Sequence, residues 1–354
     1  MAATPEDLTT PPGGRAAASA RAGTTARDAQ DAPALRAILF TAHAADRTLD
    51  IEAVDVSSLQ ADQLLWVDAR APTQPSLADV LARLGLPVEL ADELAGTGGT
   101  PLLRNHGDWF VAHAVAAHHA GGLVFEGRPL WVVGGRNVVL SVHATAIGVV
   151  DALVERERGD TALGVLSAES FVAALLDWHL SSYFDAVSDF EASVERLETR
   201  ILEDRSHSCL PELQQLRRGA SRLRRMLAPH RRLFAGLARP DFRPGQHDDS
   251  GRHFHALDVH FERAMDMVEN ARELVIGSFE LFTSRTAQRT NDTMRRLTFV
   301  TVMLGVLGVS AGVLGMNFDA GLFDTGEQGF LIAVGAMAAF VLGAVALGRW
   351  RDWF

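Results

Sequence analysis

From Leu35 to His143 the apolar residues come in short runs broken by polar residues, glycine and proline. Runs of that length predict strands rather than helices. They fall at Ala37–Thr41, Leu64–Val67, Trp109–Val115, Leu123–Phe125, Pro129–Val133 and Val138–Val142. Gly134-Gly135-Arg136-Asn137 between the last two is a hairpin signal. Helices are expected at Leu77–Leu84 and Val88–Leu94. Further on, the period changes from two to about 3.6 residues. Ala168–Asp204 reads as one long helix, and Leu210–Leu237 as a second, rich in arginine. PDFRPGQHDDSG, residues 240–251, interrupts the pattern. A third helix then runs from about Phe254 with no stop signal into an apolar segment, some 60 residues or ~90 Å at 1.5 Å per residue. Such a helix exceeds one globular domain and reads as a stalk.

Two segments carry no charge: Leu297–Phe318 (22 residues) and Gly329–Gly348 (20 residues). About 20 apolar residues cross a ~30 Å hydrocarbon core, so both are predicted membrane spans. A buried helical hairpin is the weaker alternative. Arg285, Arg289, Arg295 and Arg296 precede the first span, and Arg349 and Arg351 follow the second. The linking residues Asp319–Gln328 hold only acids: Asp319, Asp324 and Glu327. By the positive-inside rule both termini are cytoplasmic, the loop is external, and the host is the cell (inner or plasma) membrane.

The expected organisation is therefore a disordered tail (1–32), an α/β cytoplasmic domain (33–160) and a long-helix stalk region (161–296). A pore-type first span (297–318), an external loop (319–328), a second span (329–348) and a cytoplasmic tail (349–354) follow. Alanine, threonine, proline and glycine dominate the tail. It shows no apolar core of a secretory signal.

Composition adds little beyond exclusions. The 354-residue chain has a net charge of −11, which argues against nucleic acid as a partner. One cysteine, Cys209, rules out a disulfide framework. There is no lysine, hence no P-loop.

Candidate chemistry sits where the first span ends, at Gly312-Val313-Leu314-Gly315-Met316-Asn317-Phe318-Asp319. Two spans cannot enclose a polar path, so a path needs several copies about an axis. Asn317 would then be a ring of amide oxygens that accept hydrogen bonds from a hydrated hard cation, with the loop acids concentrating cations nearby. Alternatively Asn317 caps the helix, where asparagine is favoured. On chemistry alone the two readings stand level.

Gly315-Met316-Asn317 before a short acidic loop and a second span resembles the signature of the CorA/ZntB family of divalent-cation channels. Thr290-Asn291-Asp292-Thr293-Met294-Arg295-Arg296-Leu297-Thr298 is similar to that family's pore entrance, at the family's spacing and without a gap. LLWVDAR (64–70) and PLWVVGGRNVVLSVH (129–143) resemble its cytoplasmic strands. The resemblance covers the chain from near Leu35 to its end. It implies an α+β cytoplasmic funnel domain, a long stalk helix and two C-terminal transmembrane helices, assembled as a homopentameric channel. It implies roles too: Asn317 as the selectivity ring, with Gly315 and Met316 shaping its turn. Met294 and Leu297 would form a hydrophobic gate and Asn291 a polar ring at the cytoplasmic exit. Ordinary helix packing is the competing account of Met294 and Leu297.

The chain also departs from the family. Leu314 stands where an aromatic is common, and Val306 where a proline is. Gly305 and Gly308 occupy two pore-facing positions and, with Gly312 and Gly315, make a glycine stripe that reads first as close helix packing. The family's regulatory stalk carboxylate projects onto Ala256, with Asp258 two residues away. Glu280 falls on an acidic family position. His247, Asp248, Asp249, His253, His255, Asp258, His260 and Glu262 cluster nearby. A solvated face is the first reading of them, and a transition-metal site at His253, His255, Asp258 and Glu262 the sharper one.

The expected activity is passive flux of divalent cations, Mg2+ with Co2+, gated through the cytoplasmic domain. No enzyme chemistry and no cofactor are expected, the cation (Mg2+, Co2+ or Zn2+) being cargo and regulatory ligand. The partners are copies of the chain and the lipid bilayer. A ZntB-like zinc transporter and a membrane-anchored metal sensor are the alternatives.

Overall fold

The structure is a computed structural model. It describes residues 35–42, 44–96, 98–121, 123–147, 150, 167–203, 209–242, 250–316 and 326–351. The expected tail (1–32) and all but the end of the expected loop lie outside these residues. The chain divides into two compact units: 1–195 with 214–275, and 196–213 with 276–354.

The first unit is built on seven strands: β1 (Leu35–Thr41), β2 (Ala44–Leu49), β3 (Gln63–Arg70), β4 (Leu102–Asn105), β5 (Phe110–His119), β6 (Phe125–Gly134) and β7 (Val138–His143). They lie in the order β2-β1-β3-β7-β6-β5-β4. Only β3 and β7 are parallel. The Gly134–Asn137 segment turns β6 into β7 as predicted. Helices α1 (Gln74–Arg83) and α2 (Leu90–Leu94) cover one face, burying Leu77, Val80, Leu81 and Leu94 against Leu39, Leu65, Val67 and Leu140. Thr73 caps α1 by accepting from the Ser76 amide. Gly85, at φ 68°, lets the chain leave it. The alternate residues of the same strands face the other way, where Phe40 and Trp66 meet Phe171 of α3 (Ala168–Leu202).

Three expectations change. Strands β2 and β4 were not predicted. Both are sheet edges with polar, partly exposed residues (Arg47 and Thr48, Arg104 and Asn105), so neither shows the apolar alternation of a buried strand. Of the run Leu123–Phe125 only Phe125 is in a strand, where it opens β6, the strand that holds Pro129–Val133. Gly127 interrupts its pattern because a Cβ there would lie 2.6 Å from Val115. Pro129 is tolerated because β7 pairs with β6 only from Trp131 onward. The second long helix is broken: α4 (Cys209–Leu227) and α5 (Arg231–Leu237) flank a tight turn at Ala228–His230 that contains Pro229.

β5 outruns its neighbour β4, whose last partner is His113 opposite Leu102. The outward backbone groups beyond that point are satisfied by side chains. Val115 N–H donates to His230 Nε2 at 2.9 Å, Tyr183 Oη donates to Val115 O at 2.6 Å, and Ala117 N–H donates to Ser182 Oγ at 3.0 Å. These bonds tie α3 and the α4–α5 corner to the strand.

The third helix, α6 (Ser250–Leu314), is continuous over 65 residues. It begins four residues before the expected Phe254. Its part up to Val275 belongs to the first unit, where Phe254 meets Phe110 and Phe261 meets Phe234. In the second unit Ser278 Oγ donates to Glu198 at 2.6 Å, and Arg200 pairs with Glu212 at 2.6 Å. The last helix is α7 (Glu327–Trp350). The apolar stretches of α6 and α7 are long enough to cross a membrane and are not buried by the rest of the chain.

Candidate functional site

An uninterrupted α-helix turns 100° per residue. On that scale Met294, Thr301, Gly305, Gly308 and Gly312 lie within about 40° of one line along α6. Asn291 and Leu297 stand about 60° to either side of it. The half-covered residues of the same span are Phe299, Met303, Leu307, Ser310 and Leu314. They lie within about 40° of the opposite line. On α7 the covered residues include Gly329, Ala333, Met337, Val341, Ala344, Val345 and Gly348. Ala311 and Leu314 share a cleft with Gly329, Ala333 and Met337. So α7 packs antiparallel on the side of α6 away from Met294, Gly305, Gly308 and Gly312, while Gly315, at the helix end, lines the cleft with it.

This arrangement bears on the stripe only within one chain. A Cβ added to Gly305, Gly308 or Gly312 would meet nothing within 4 Å. The glycines therefore do not serve the packing of α6 on α7. Met294 and Leu297 are 63% and 65% exposed. Gly315 N–H donates to the carbonyls of Ala311 and Gly312, and Met316 N–H to that of Val313, as the helix closes. Glu327 opens α7 in its first turn, where a carboxylate suits the positive end of the helix. Asn317, Asp319 and Asp324 lie outside the described residues.

Sequence reasoning passed over the threonines. Thr290, Thr298 and Thr301 sit within about 40° of the Met294 line. Their hydroxyls donate to the carbonyls of Thr286, Met294 and Leu297 at 2.8–2.9 Å. With the proton engaged, each oxygen faces outward as an acceptor. A count of hydroxyls at four-residue spacing along the helix would have found them.

The histidine and acid cluster is not brought together. His253 Nδ1 is 2.9 Å from Ser170 Oγ, and His260 Nδ1 is 2.6 Å from Asp177. Both face α3. His255, Asp258 and Glu262 lie on another side of α6, and Glu262 is held by both terminal nitrogens of Arg231. Among the described residues no three histidine, cysteine or acidic side chains converge as metal ligands. His247, Asp248 and Asp249 lie outside the described residues.

Buried polar chemistry lies instead against the sheet. His143 Nε2 faces Asp68 at 3.2 Å and its Nδ1 faces the Thr145 carbonyl at 2.7 Å. Ser141 donates to Asp68 and accepts from Trp66 Nε1. Near α3, His113, His179 and His230 are all buried, the rings of His179 and His230 having centroids 5.0 Å apart. Burial pushes all three imidazoles below their usual range, His230 to about 4.

The model of the family described as CorA-like Mg2+ transporter protein matches residues 61–347. The cobalt/magnesium transport protein CorA of Thermotoga maritima is 24% identical over 231 residues, 64% of this chain and 65% of that protein's length. The complete structure of the CorA magnesium transporter from Methanocaldococcus jannaschii superposes with a TM-score of 0.68 at 19% identity, covering 90% of this chain and 98% of that one. The full-length CmaX structure gives 0.65 at 21% identity, covering 89% and 97%.

Proposed function

The chain belongs to the CorA-like Mg2+ transporter protein family, and from that premise we propose that it is a passive, gated channel for divalent metal cations, Mg2+ first and Co2+ with it. The observation that carries this reading is the two-faced first span. One face of α6 is covered by α7, and the opposite face, bearing Asn291, Met294, Leu297, Thr301, Gly305, Gly308 and Gly312, is open. In a homopentamer the open faces meet around an axis and form the path.

The chemistry of that face suits a cation that keeps its water. Amide and hydroxyl oxygens accept from the bound water, while the grip of carboxylates, which would hold the ion, is missing from the face within the span. No imidazole or thiolate stands on it, so the path favours a hard ion over zinc. Asn317 forms the outer ring, with Gly315 and Met316 setting its turn, and Asp319, Asp324 and Glu327 gather cations outside. Met294 and Leu297 close the inner end by excluding water. Gly305 and Gly308 leave a wide middle segment, which puts the gate at Met294–Leu297.

Full-length protein in liposomes should pass Mg2+ and Co2+, and Asn317→Ala should abolish the flux or its selectivity. Normal, selective flux through that variant would remove Asn317 from the ring. Zinc uptake that Mg2+ does not compete with would overturn the choice of cargo.

A further inference from the structure

The covered line of α6 does not stop at Phe299. Followed toward the cytoplasmic end it runs through Arg296, Asp292, Arg289 and Arg285, all within about 40° of it by helical spacing. Ser278, Leu281 and Phe282 resume the covered positions below. Between Phe282 and Phe299 every residue of α6 is exposed. The arginines thus occupy a gap in an otherwise covered face, and the opposite, path-lining face in the same stretch carries Ala287, Thr290, Asn291 and Met294.

α7 ends beside this gap. Gly329 and Leu314 share a cleft and the two helices run antiparallel, so Arg349 comes level with about residue 294 and Arg351 with about residue 292. Trp350 stands on the side of α7 away from α6 and is 81% exposed, an indole placed for a membrane–water interface. Six arginines, Arg285, Arg289, Arg295, Arg296, Arg349 and Arg351, so lie along about three turns of α6 and at the end of α7, with Asp292 the one acid of α6 among them. This occurs in a chain whose net charge is −11.

We propose that this arginine belt, on the outward side of α6 and at the end of α7, binds the phosphate groups of anionic phospholipids in the inner leaflet. Charge complementarity selects that occupant. The guanidinium fork matches a phosphate bidentately, and the position just below an apolar span brings headgroups to it without a conformational change. The lipid then fills the gap between the two covered stretches of α6. The inference rests on the bilayer placement of α6 and α7 argued above.

The test uses the full chain reconstituted in phosphatidylcholine vesicles with trace spin-labelled phosphatidylglycerol or phosphatidylcholine. Wild-type protein should hold the anionic label severalfold over the zwitterionic one, and raising salt should erode the preference as the Debye length shrinks. The triple variant Arg285→Gln, Arg296→Gln, Arg349→Gln should lose most of it, since each arginine at such a surface contributes about fivefold. The corresponding triple lysine variant, which keeps the charge without the fork, should keep part of it, and Arg232→Gln, far along the chain on α5, should change nothing. Equal labelling by wild type and triple variant overturns the proposal. So does an unchanged preference with a smaller oligomer, which would give the arginines to a neighbouring copy. A chain that does not float with the vesicles in a density gradient overturns the bilayer placement together with the inference, whereas floating without preference overturns the inference alone.

Discussion

The three buried histidines near α3 differ in how their nitrogens are used. His230 donates from Nδ1 to the Leu227 carbonyl and accepts at Nε2 from Val115 N–H, which leaves it neutral with a fixed tautomer. His113 bonds the Thr100 carbonyl through Nδ1, and its Nε2 has no partner among the described residues. Neither nitrogen of His179 has one. Since burial holds all three pKa values down, the folded chain binds fewer protons than the unfolded chain as pH falls below about 6.5, for His230 down to about 4. Their contribution to stability is complete above pH 6.5 and is lost as pH falls, by up to about 1.4 kcal/mol per pH unit for each histidine. Thermal unfolding of the full chain in detergent should show a lower midpoint at pH 5 than at pH 7.5. A midpoint that rises would contradict the assignment. Tyr183 makes a related prediction. Tyr183→Phe removes the donor to the Val115 carbonyl in a region that water does not reach, and should cost about 1–3 kcal/mol in denaturant unfolding. No loss would mean that another donor reaches the strand.

Among the elements, the glycines of β6 and α6 stand in contrast. A Cβ on Gly134 would lie 2.6 Å from the ring of Phe110 directly across the strand pair. Gly134→Ala should therefore destabilise the first unit by about 1–3 kcal/mol, read as a lowered unfolding midpoint. Gly308→Ala meets nothing in its own chain and gains helix propensity, so the midpoint of solubilised protein should hold or rise slightly. In liposomes the bulkier Gly308→Leu should cut cation flux by narrowing the path. Flux equal to wild type would take Gly308 off it. The stripe was visible in the sequence, but its partner was not: Gly305, Gly308 and Gly312 have open space beside them in one chain, while Gly315 lines the cleft with α7. Spacing states which residues share a face, and only the placement of α7 says which face is taken.

For the molecule as a whole, a divalent cation entering down a 100 mV inside-negative potential gains about 4.6 kcal/mol, twice the single-charge value, so the proposed flux needs no nucleotide. Uptake into vesicles should follow an imposed potassium diffusion potential and cease when that potential is clamped at zero with no cation gradient. Uptake that persists under the clamp would point to coupled transport. At this scale the open face of α6 has a further consequence. A lone copy leaves Met294 and Leu297 largely exposed and open space beside three glycines, so the proposed path would be closed only by several copies about an axis.

Local pattern alone determined the long continuous α6, the two apolar helices, the β6–β7 hairpin and the grouping of Asn291, Met294 and Leu297. Each follows from periodicity, charge or turn chemistry within a short stretch. The tertiary structure decided the rest: the edge strands β2 and β4, the start of β6 at Phe125, the scattering of the histidine and acid cluster, and the burial of His113, His179 and His230. These depend on what an element packs against, which residues distant in sequence supply. His253 and Glu262 show the reason. Helical spacing alone sets them on opposite sides, but that Ser170 takes one and Arg231 the other depends on segments distant in the chain.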